Sequence, residues 1–505
     1  MLKYSFFKQL PVRVALLSAS CLYLSSMQAQ ERKNVLFIVV DDLRPELGCY
    51  GSDAVITPNI DRLASQSVVF QRAYCNVPVS GASRSSLLTG AYPDISKGRF
   101  VDAETWSQKD LPGVVTLPQA FKNAGYYTMS VGKVFHHFMD RTDSWSENPW
   151  IVSPASGDWA LYNKWNVWKN EIPENELHPK SHRGPYCEGA DAPESSYEDN
   201  MIAKKAVTEL GRLKDKDQPF FLAVGFRKPH LPFIAPKKYW DLYKREEIKI
   251  ADNRYRSENL PEQVQSSREI FQYTHVDNTS DVNFHREARH AYYACVSFID
   301  AQVGIVLDEL KRLGLEENTI VVLFGDHGWH LGEHDFWGKH TLFNQATHAP
   351  FMVSCPGAAR GNSQSIVEFV DIYPSLCEAC HVSKPSHLQG RSFLPTLKNP
   401  KKKHRDYAFI QWGKGVNLVT PDYSYAQWYD RSQNIVGEML FDHRNDPQEN
   451  KNVAGSKKYQ KLIKRFKADI QKERAETLGS VIILGDLTIC HKSVSLRYAT
   501  QTSRL

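Results

Sequence analysis

The chain has 505 residues, 42% hydrophobic and 24% charged, with a formal net charge of +5. That balance is ordinary for a soluble globular protein with a core large enough for two to four domains. So small a charge gives no case for a nucleic-acid partner, although a local basic pocket for an anionic substrate fits within it.

Lys3 and Lys8 precede an apolar stretch from Val12 to Leu24, and small and polar residues then lead to Ala29-Gln30. This is the pattern of a signal peptide cleaved near Ala29. The apolar run is too short and broken for a membrane span, and no later segment is apolar enough to cross a bilayer. Ser18-Ala19-Ser20 ahead of Cys21 fit a bacterial lipobox poorly. The expectation is an exported protein, periplasmic or extracellular, with no integral membrane span in the mature chain. Nine Cys, one of them in the signal, leave eight that export would allow to pair. Cys377 and Cys380 are spaced C-x-x-C but lack the second pair that a zinc site needs. They read as two packed thiols on one helix or a local disulfide.

Asn34–Val40 is a continuous apolar, β-branched run, the signature of a central parallel strand covered on both faces. It ends on Asp41-Asp42. Thr57-Pro58-Asn59 opens a helix, with Pro58 suited to its first position. Ser80–Gly90 then places Ser80 and Arg84 four residues apart among small residues, before a short apolar run closed by Gly90. Read as a helix, it puts Ser80 at an N-terminus that favours an anion and Arg84 one turn on, facing the same way. A plain Ser/Gly turn capping an ordinary helix fits the segment equally well.

Leu117-Pro118 opens a helix that closes at Gly125, and a strand from Tyr126 to Val131 runs into Gly132-Lys133-Val134-Phe135-His136. Asp140 to about Pro193 is loop-rich, like insertions over a binding face. A helix over Asp199–Leu213 and a strand over Pro219–Phe226 lead to Arg227-Lys228-Pro229-His230. Lys244 to His285 is polar and loop-like. A long helix over Ala288–Leu313 and a strand over Thr319–Phe324 lead to Gly325-Asp326-His327-Gly328. Pro350–Ser354 and Ser365–Ala379 add another strand and helix. Beyond about Gly390, short strands at Tyr407–Trp412, Asn417–Thr420 and Tyr425–Tyr429 and a helix over Ser456–Glu476 form a smaller unit.

Alternating strands and helices predict an α/β fold with a large, mostly parallel sheet flanked by helices, followed by a smaller antiparallel sheet and helix. Ligand sites belong at the carboxyl ends of such strands. The polar clusters stand there. Asp41, Asp42 and Asp326, with His327, are costly to bury together unless a divalent cation is bound, and oxygen ligands favour Ca2+ or Mg2+ over zinc. Solvated carboxylates or salt bridges at loop ends are the plainer alternative. Lys133, His136, His230 and Lys339 add cationic or titratable groups, three of them close after strands.

These residues carry a resemblance. Ser80-x-Ala82-x-Arg84 followed by Leu88-Thr89-Gly90 resembles the type I sulfatase signature in its serine form. Asn34–Asp42, Gly132–His136, Lys228–Phe233 and Gly325–His334 resemble, within that family, the iduronate-2-sulfatase subgroup, and Phe441-Asp442 with Asn445–Asn450 resembles the family's C-terminal segment. The resemblance implies an alkaline-phosphatase-like sandwich and Ser80 oxidised to formylglycine. It implies Ca2+ held by Asp41, Asp42, modified Ser80, Asp326 and His327. Arg84 and Lys133 would steady the formylglycine, His136 assist turnover of its hydrate, and His230 and Lys339 contact the sulfate and the leaving oxygen. Lys228 and Trp329, within the same motifs, are expected to bind substrate. Cys75 does not substitute for Ser80, because Val79 rather than Arg stands four residues on.

The implied activity is hydrolysis of sulfate esters on a sulfated oligosaccharide, 2-O-sulfate of a uronic acid first, in an exo-acting pocket. A serine-accepting sulfatase-maturating enzyme is the implied partner. The alternatives are another sulfated polysaccharide, a phosphoester hydrolase of the same superfamily, or a carbohydrate binder on a dead scaffold. The expected organisation is a signal peptide at 1–29, a catalytic domain at 30–390, a C-terminal subdomain at 391–476 and an unassigned tail at 477–505.

Overall fold

The computed structural model describes residues 32–152, 168–265, 267, 269–276 and 278–479. The N-terminal segment expected to be a signal peptide and the tail beyond residue 479 lie outside the described residues. The principal elements are β1 (Asn34–Val40), α1 (Pro58–Ser65), β2 (Val68–Tyr74), α2 (Ser80–Thr89), α3 (Leu117–Asn123), β3 (Tyr127–Gly132), α4 (Glu198–Lys214), β4 (Phe220–Phe226), α5 (Val282–Arg312), β5 (Thr319–Gly325), β6 (Phe351–Ser354), β7 (Gly361–Glu368) and α6 (Ile372–Ala379). β8 (Ala408–Trp412), β9 (Gly415–Val419), β10 (Tyr423–Tyr429), β11 (Ile435–Asp442) and α7 (Gln460–Gly479) follow.

The main sheet has seven strands in the order β7-β2-β6-β5-β1-β4-β3. β6 runs antiparallel to both its neighbours, and every other pairing is parallel. All seven residues of β1 are buried. Their side chains alternate: Leu36, Ile38 and Val40 join the core beneath α5, whereas Val35, Phe37 and Val39 join the core that holds Leu87 and Leu88 of α2. A strand covered on both faces therefore reads as an unbroken apolar run.

α5 reaches the length and apolarity of a membrane-crossing helix, contrary to the sequence reading, yet 83% of its most apolar window is buried inside the fold. Cys377 and Cys380 are buried free thiols, each pushed up to about 12 by burial.

The second sheet is a four-stranded antiparallel meander, β8-β9-β10-β11, backed by α7 through the stacked rings of Tyr425 and Phe466. A buried ionic knot fastens it to the main sheet. Arg405 Nε donates to Asp371 Oδ2 at 2.6 Å and its Nη1 lies 2.7 Å from Glu368 Oε2, while the Phe409 amide donates to Glu368 Oε1 at 2.6 Å. One guanidinium serves two carboxylates. Burial opposes ionisation of both, but the direct bonds to Arg405 hold Asp371 far below the carboxylate range, while burial lifts Glu368 to about 7. A raised folded value stabilises the fold below the unfolded carboxyl value, and that contribution is lost as pH climbs through about 7. The unfolding free energy of the wild type, measured by urea titration, is expected to fall between pH 5 and pH 8 relative to Glu368→Gln, by about a few kcal/mol at most. Parallel pH profiles for the two proteins would contradict this.

Candidate active site

The site is assembled by strand register. Gly132 of β3 pairs with Gly225 of β4, Phe226 of β4 with Val40 of β1, and Val40 with Gly325 of β5. Four strands therefore end level, and the residues that follow them, Lys133, Arg227–His230, Asp41-Asp42 and Asp326-His327, converge on one edge. Glycine is required where the backbones cross: a Cβ on Gly225 would stand 1.9 Å from the Lys133 carbonyl oxygen, and Gly132 adopts φ +75°.

α2 points its N-terminus at this edge, and all ten of its residues are buried. The Ser80 hydroxyl donates to Asp41 Oδ1 at 2.9 Å and lies 2.9 Å from His327 Nε2. One turn on, Arg84 donates from Nε to Asp326 Oδ2 at 2.8 Å and from Nη2 to Asp41 Oδ1 at 3.3 Å. Its Nη1 donates to the carbonyls of Lys133 and Val134. The four-residue spacing read from the sequence thus places both side chains on one carboxylate. Lys133 Nζ bonds Asp41 Oδ2, and Lys339 Nζ donates to Asp42 Oδ1 and Oδ2 at 2.8 and 3.1 Å. Asp42 sits in the left-handed region at φ 59°, which aims its amide at Asp326 Oδ1, 3.0 Å away.

Oxygen and nitrogen atoms of Asp41, Asp42, Asp326 and His327 all lie within 4.8 Å of one another, and all four residues are buried. Burial alone would raise Asp41, but Lys133, His230, Arg84 and Lys339 outweigh it and hold that carboxyl well below the usual range. Burial raises Asp42 even against Lys339 and His230. Arg84, Lys133 and Lys339 match the three buried carboxylates in number, yet Asp42 stays raised. That crowding of carboxylates and the oxygen-rich donor set fit a hard divalent cation.

Burial brings Lys133 down to about 8, against the pull of Asp41. Burial and the Lys133 charge keep His136 well below its ordinary value, so it is neutral at physiological pH. Lys339 goes the other way: Asp42 and Glu269 outweigh burial and raise it.

A cavity of about 640 Å³ opens above this cluster and is bordered by Ser80, His136, His230 and Lys339. The two residues expected to bind substrate do not border it. Lys228 Nζ turns inward and donates to the carbonyls of His230 and Pro232 at 2.7 Å each. Trp329 is fully buried in the core, its ring beneath the Lys339 ammonium at 5.0 Å. Lys228 shapes the turn that carries His230, and Trp329 supports Lys339. Neither borders the cavity.

Sequence reasoning missed Glu269, which lies 3.1 Å from His230 Nε2 and 3.3 Å from Lys339 Nζ. It also missed Arg183, Tyr273, Trp412 and Trp428 on the cavity wall. Glu269 and Tyr273 belong to the polar stretch without periodicity, and Arg183 to the loop-rich one, so no spacing marks them. Trp412 and Trp428 sit on strands of the second sheet, which thereby supplies part of the cavity wall.

Comparison with known proteins agrees with this architecture. The protein-family model described as Sulfatase matches residues 33–382, and that described as N-sulphoglucosamine sulphohydrolase, C-terminal, matches residues 332–476. Iduronate 2-sulfatase of Mus musculus is 38% identical over 546 residues, covering 89% of this chain and 96% of that protein. The Homo sapiens iduronate 2-sulfatase is 39% identical over 407 residues, covering 75% and 72%. Among solved structures, a phosphonate monoester hydrolase from Silicibacter pomeroyi has a TM-score of 0.75 at 21% identity, covering 90% of this chain and 98% of its own. A 2-O GAG sulfatase has a TM-score of 0.66 at 23% identity, covering 89% and 93%. At such identities the structures bear on the fold alone.

Proposed function

This chain belongs to the sulfatase family and is a sulfuric ester hydrolase, and from that premise we propose that it removes 2-O-sulfate from a uronic acid in glycosaminoglycan-like oligosaccharides. The observation that carries the reading is Ser80, whose hydroxyl is shared between Asp41 and His327 at the floor of the cavity. The identity to iduronate 2-sulfatases supports the sugar. The signal-peptide pattern at residues 1–29 supports export to the periplasm or beyond.

Asp41, Asp42, Asp326 and His327, with position 80, would hold Ca2+, which when bound offsets negative charge on the sulfate oxygens. Oxidation of Ser80 to formylglycine by a serine-accepting maturating enzyme supplies a hydrated aldehyde, one hydroxyl to attack sulfur and a second to release sulfate. The other residues serve these ends. Arg84 and Lys133 fix Asp41, the carboxylate that the Ser80 hydroxyl bonds. Neutral His136 is an acceptor for the proton of the second hydroxyl. His230 Nε2 and Lys339 Nζ, both held by Glu269, are the donors available to the departing sugar oxygen.

Charge favours sulfate over phosphate. Asp41, Asp42, Asp326 and Glu269 face Arg84, Lys133 and Lys339, which leaves one negative charge among these carboxylate, guanidinium and ammonium groups. A divalent cation turns this into one positive charge, which a sulfate monoester neutralises and a phosphate monoester dianion overshoots. The test is a panel of 2-O-, 4-O-, 6-O- and N-sulfated saccharides with a phosphate monoester alongside. Release of sulfate from 2-O-sulfated uronides first is the expected result. A preference for 6-O- or N-sulfate would contradict the sugar, and a preference for phosphate would contradict the charge argument.

A further inference from the structure

We infer that Arg183 is the residue that selects a carboxylated sugar, by pairing with the uronate carboxylate while the sulfate lies over Ser80. The inference rests on the uronate reading above and names the group that enforces it. Arg183 borders the same cavity as Ser80 but takes no part in the Asp41–Asp42–Asp326 cluster, whose cations are Arg84, Lys133 and Lys339. Among the described residues lining the cavity, the guanidinium and ammonium groups are those of Arg183 and Lys339.

Its position is built rather than incidental. Residues 184–186 run alongside 274 as paired extended segments: the Thr274 amide donates to the Gly184 carbonyl at 3.0 Å and the Tyr186 amide to the Thr274 carbonyl at 3.2 Å. The Arg183 carbonyl accepts from the His178 amide at 2.8 Å. This pairing lays the Arg183 guanidinium over the ring of Tyr273, 5.0 Å from its centroid. Tyr273 is 2% exposed, so the ring is a fixed support. A planar guanidinium backed by an aromatic face loses little freedom when it binds, and its fork matches a carboxylate.

Sugar geometry supplies the rest. In a pyranose ring C2 and C5 are opposite corners, so a 2-O-sulfate and a C5 carboxylate leave the ring in opposite directions. A site that holds the sulfate at one end of its cavity must read the carboxylate with a different cation, away from the metal cluster. Arg183 lines the same cavity as Ser80 and is carried by a segment separate from the strand ends that bear the cluster. The remaining acids on the wall, Glu104 and Glu269, would repel a carboxylate placed elsewhere.

The experiment compares a 2-O-sulfated uronide with its carboxyl-reduced counterpart, in which a hydroxymethyl group replaces the carboxylate, using mature wild type, Arg183→Gln and Arg183→Lys of matched melting temperature. Wild type is expected to prefer the uronide. Arg183→Gln should lose about 10- to 100-fold in kcat/KM on the uronide, mostly through KM, and stay within about twofold on the reduced sugar. Arg183→Lys, which keeps the charge but not the fork, should fall between. Wild type preferring the reduced sugar overturns the uronate reading and this inference with it. Wild type preferring the uronide, with Arg183→Gln retaining that preference, overturns the Arg183 assignment alone.

Discussion

Ser80→Ala is expected to lower kcat/KM by at least about 10,000-fold, the scale seen when a covalent nucleophile is removed. The argument is local. Among the described residues that border the cavity, Ser80 is the one whose hydroxyl bonds a carboxylate of the buried cluster. The fold should tolerate the change, because the deleted hydroxyl leaves Asp41 still bonded to Lys133 and Arg84. A melting temperature near that of wild type, with activity gone, separates a chemical role from a structural one. Activity that survives Ser80→Ala would place the nucleophile elsewhere.

Removal of divalent cations should cost about 1,000-fold in kcat/KM, since charge stabilisation at the reacting group is lost with them. Added Ca2+ should restore activity. Asp326→Asn should show the same loss without rescue, and elemental analysis should find about one equivalent of metal in wild type and far less in the variant. Because Asp326 also neutralises Arg84 and accepts the Asp42 amide, the variant should be less stable by about 3 kcal/mol. The chelation arm is free of that complication. Full turnover after chelation would contradict a metal role for the cluster.

The strand ends were legible because a strand covered on both faces must be apolar throughout and then stop abruptly on polar residues. Asn34–Val40 into Asp41 and Thr319–Gly325 into Asp326 are of that kind. β2 was not, because Gln71 and Arg72 interrupt its apolar run. β11 opens with four half- or fully exposed residues, Ile435 to Glu438, before its buried half, so it has no clear period from the sequence side. α5 begins at Val282, ahead of the apolar stretch that revealed it, because Asp281 caps it through the Asn283 amide. At the site, the residues that follow strands were found, and those held by long-range packing were not. Glu269 reaches His230 and Lys339 from a loop, and Trp412 reaches the cavity from another sheet, where it stacks on His340 at 4.9 Å. Lys228 and Trp329 show the converse. Membership of a motif placed them near the chemistry, but their side chains turned out to serve the scaffold.

What position 80 becomes decides whether the site holds its nucleophile. Mass spectrometry of the peptide containing residue 80, taken from active protein matured in its native host, tests this directly. Formylglycine makes that peptide about 2 Da lighter than its serine form, because oxidation of an alcohol to an aldehyde removes two hydrogens. The lighter peptide, rising in proportion to specific activity across preparations, is the expected result. Fully active protein whose Ser80 is unmodified would contradict the mechanism.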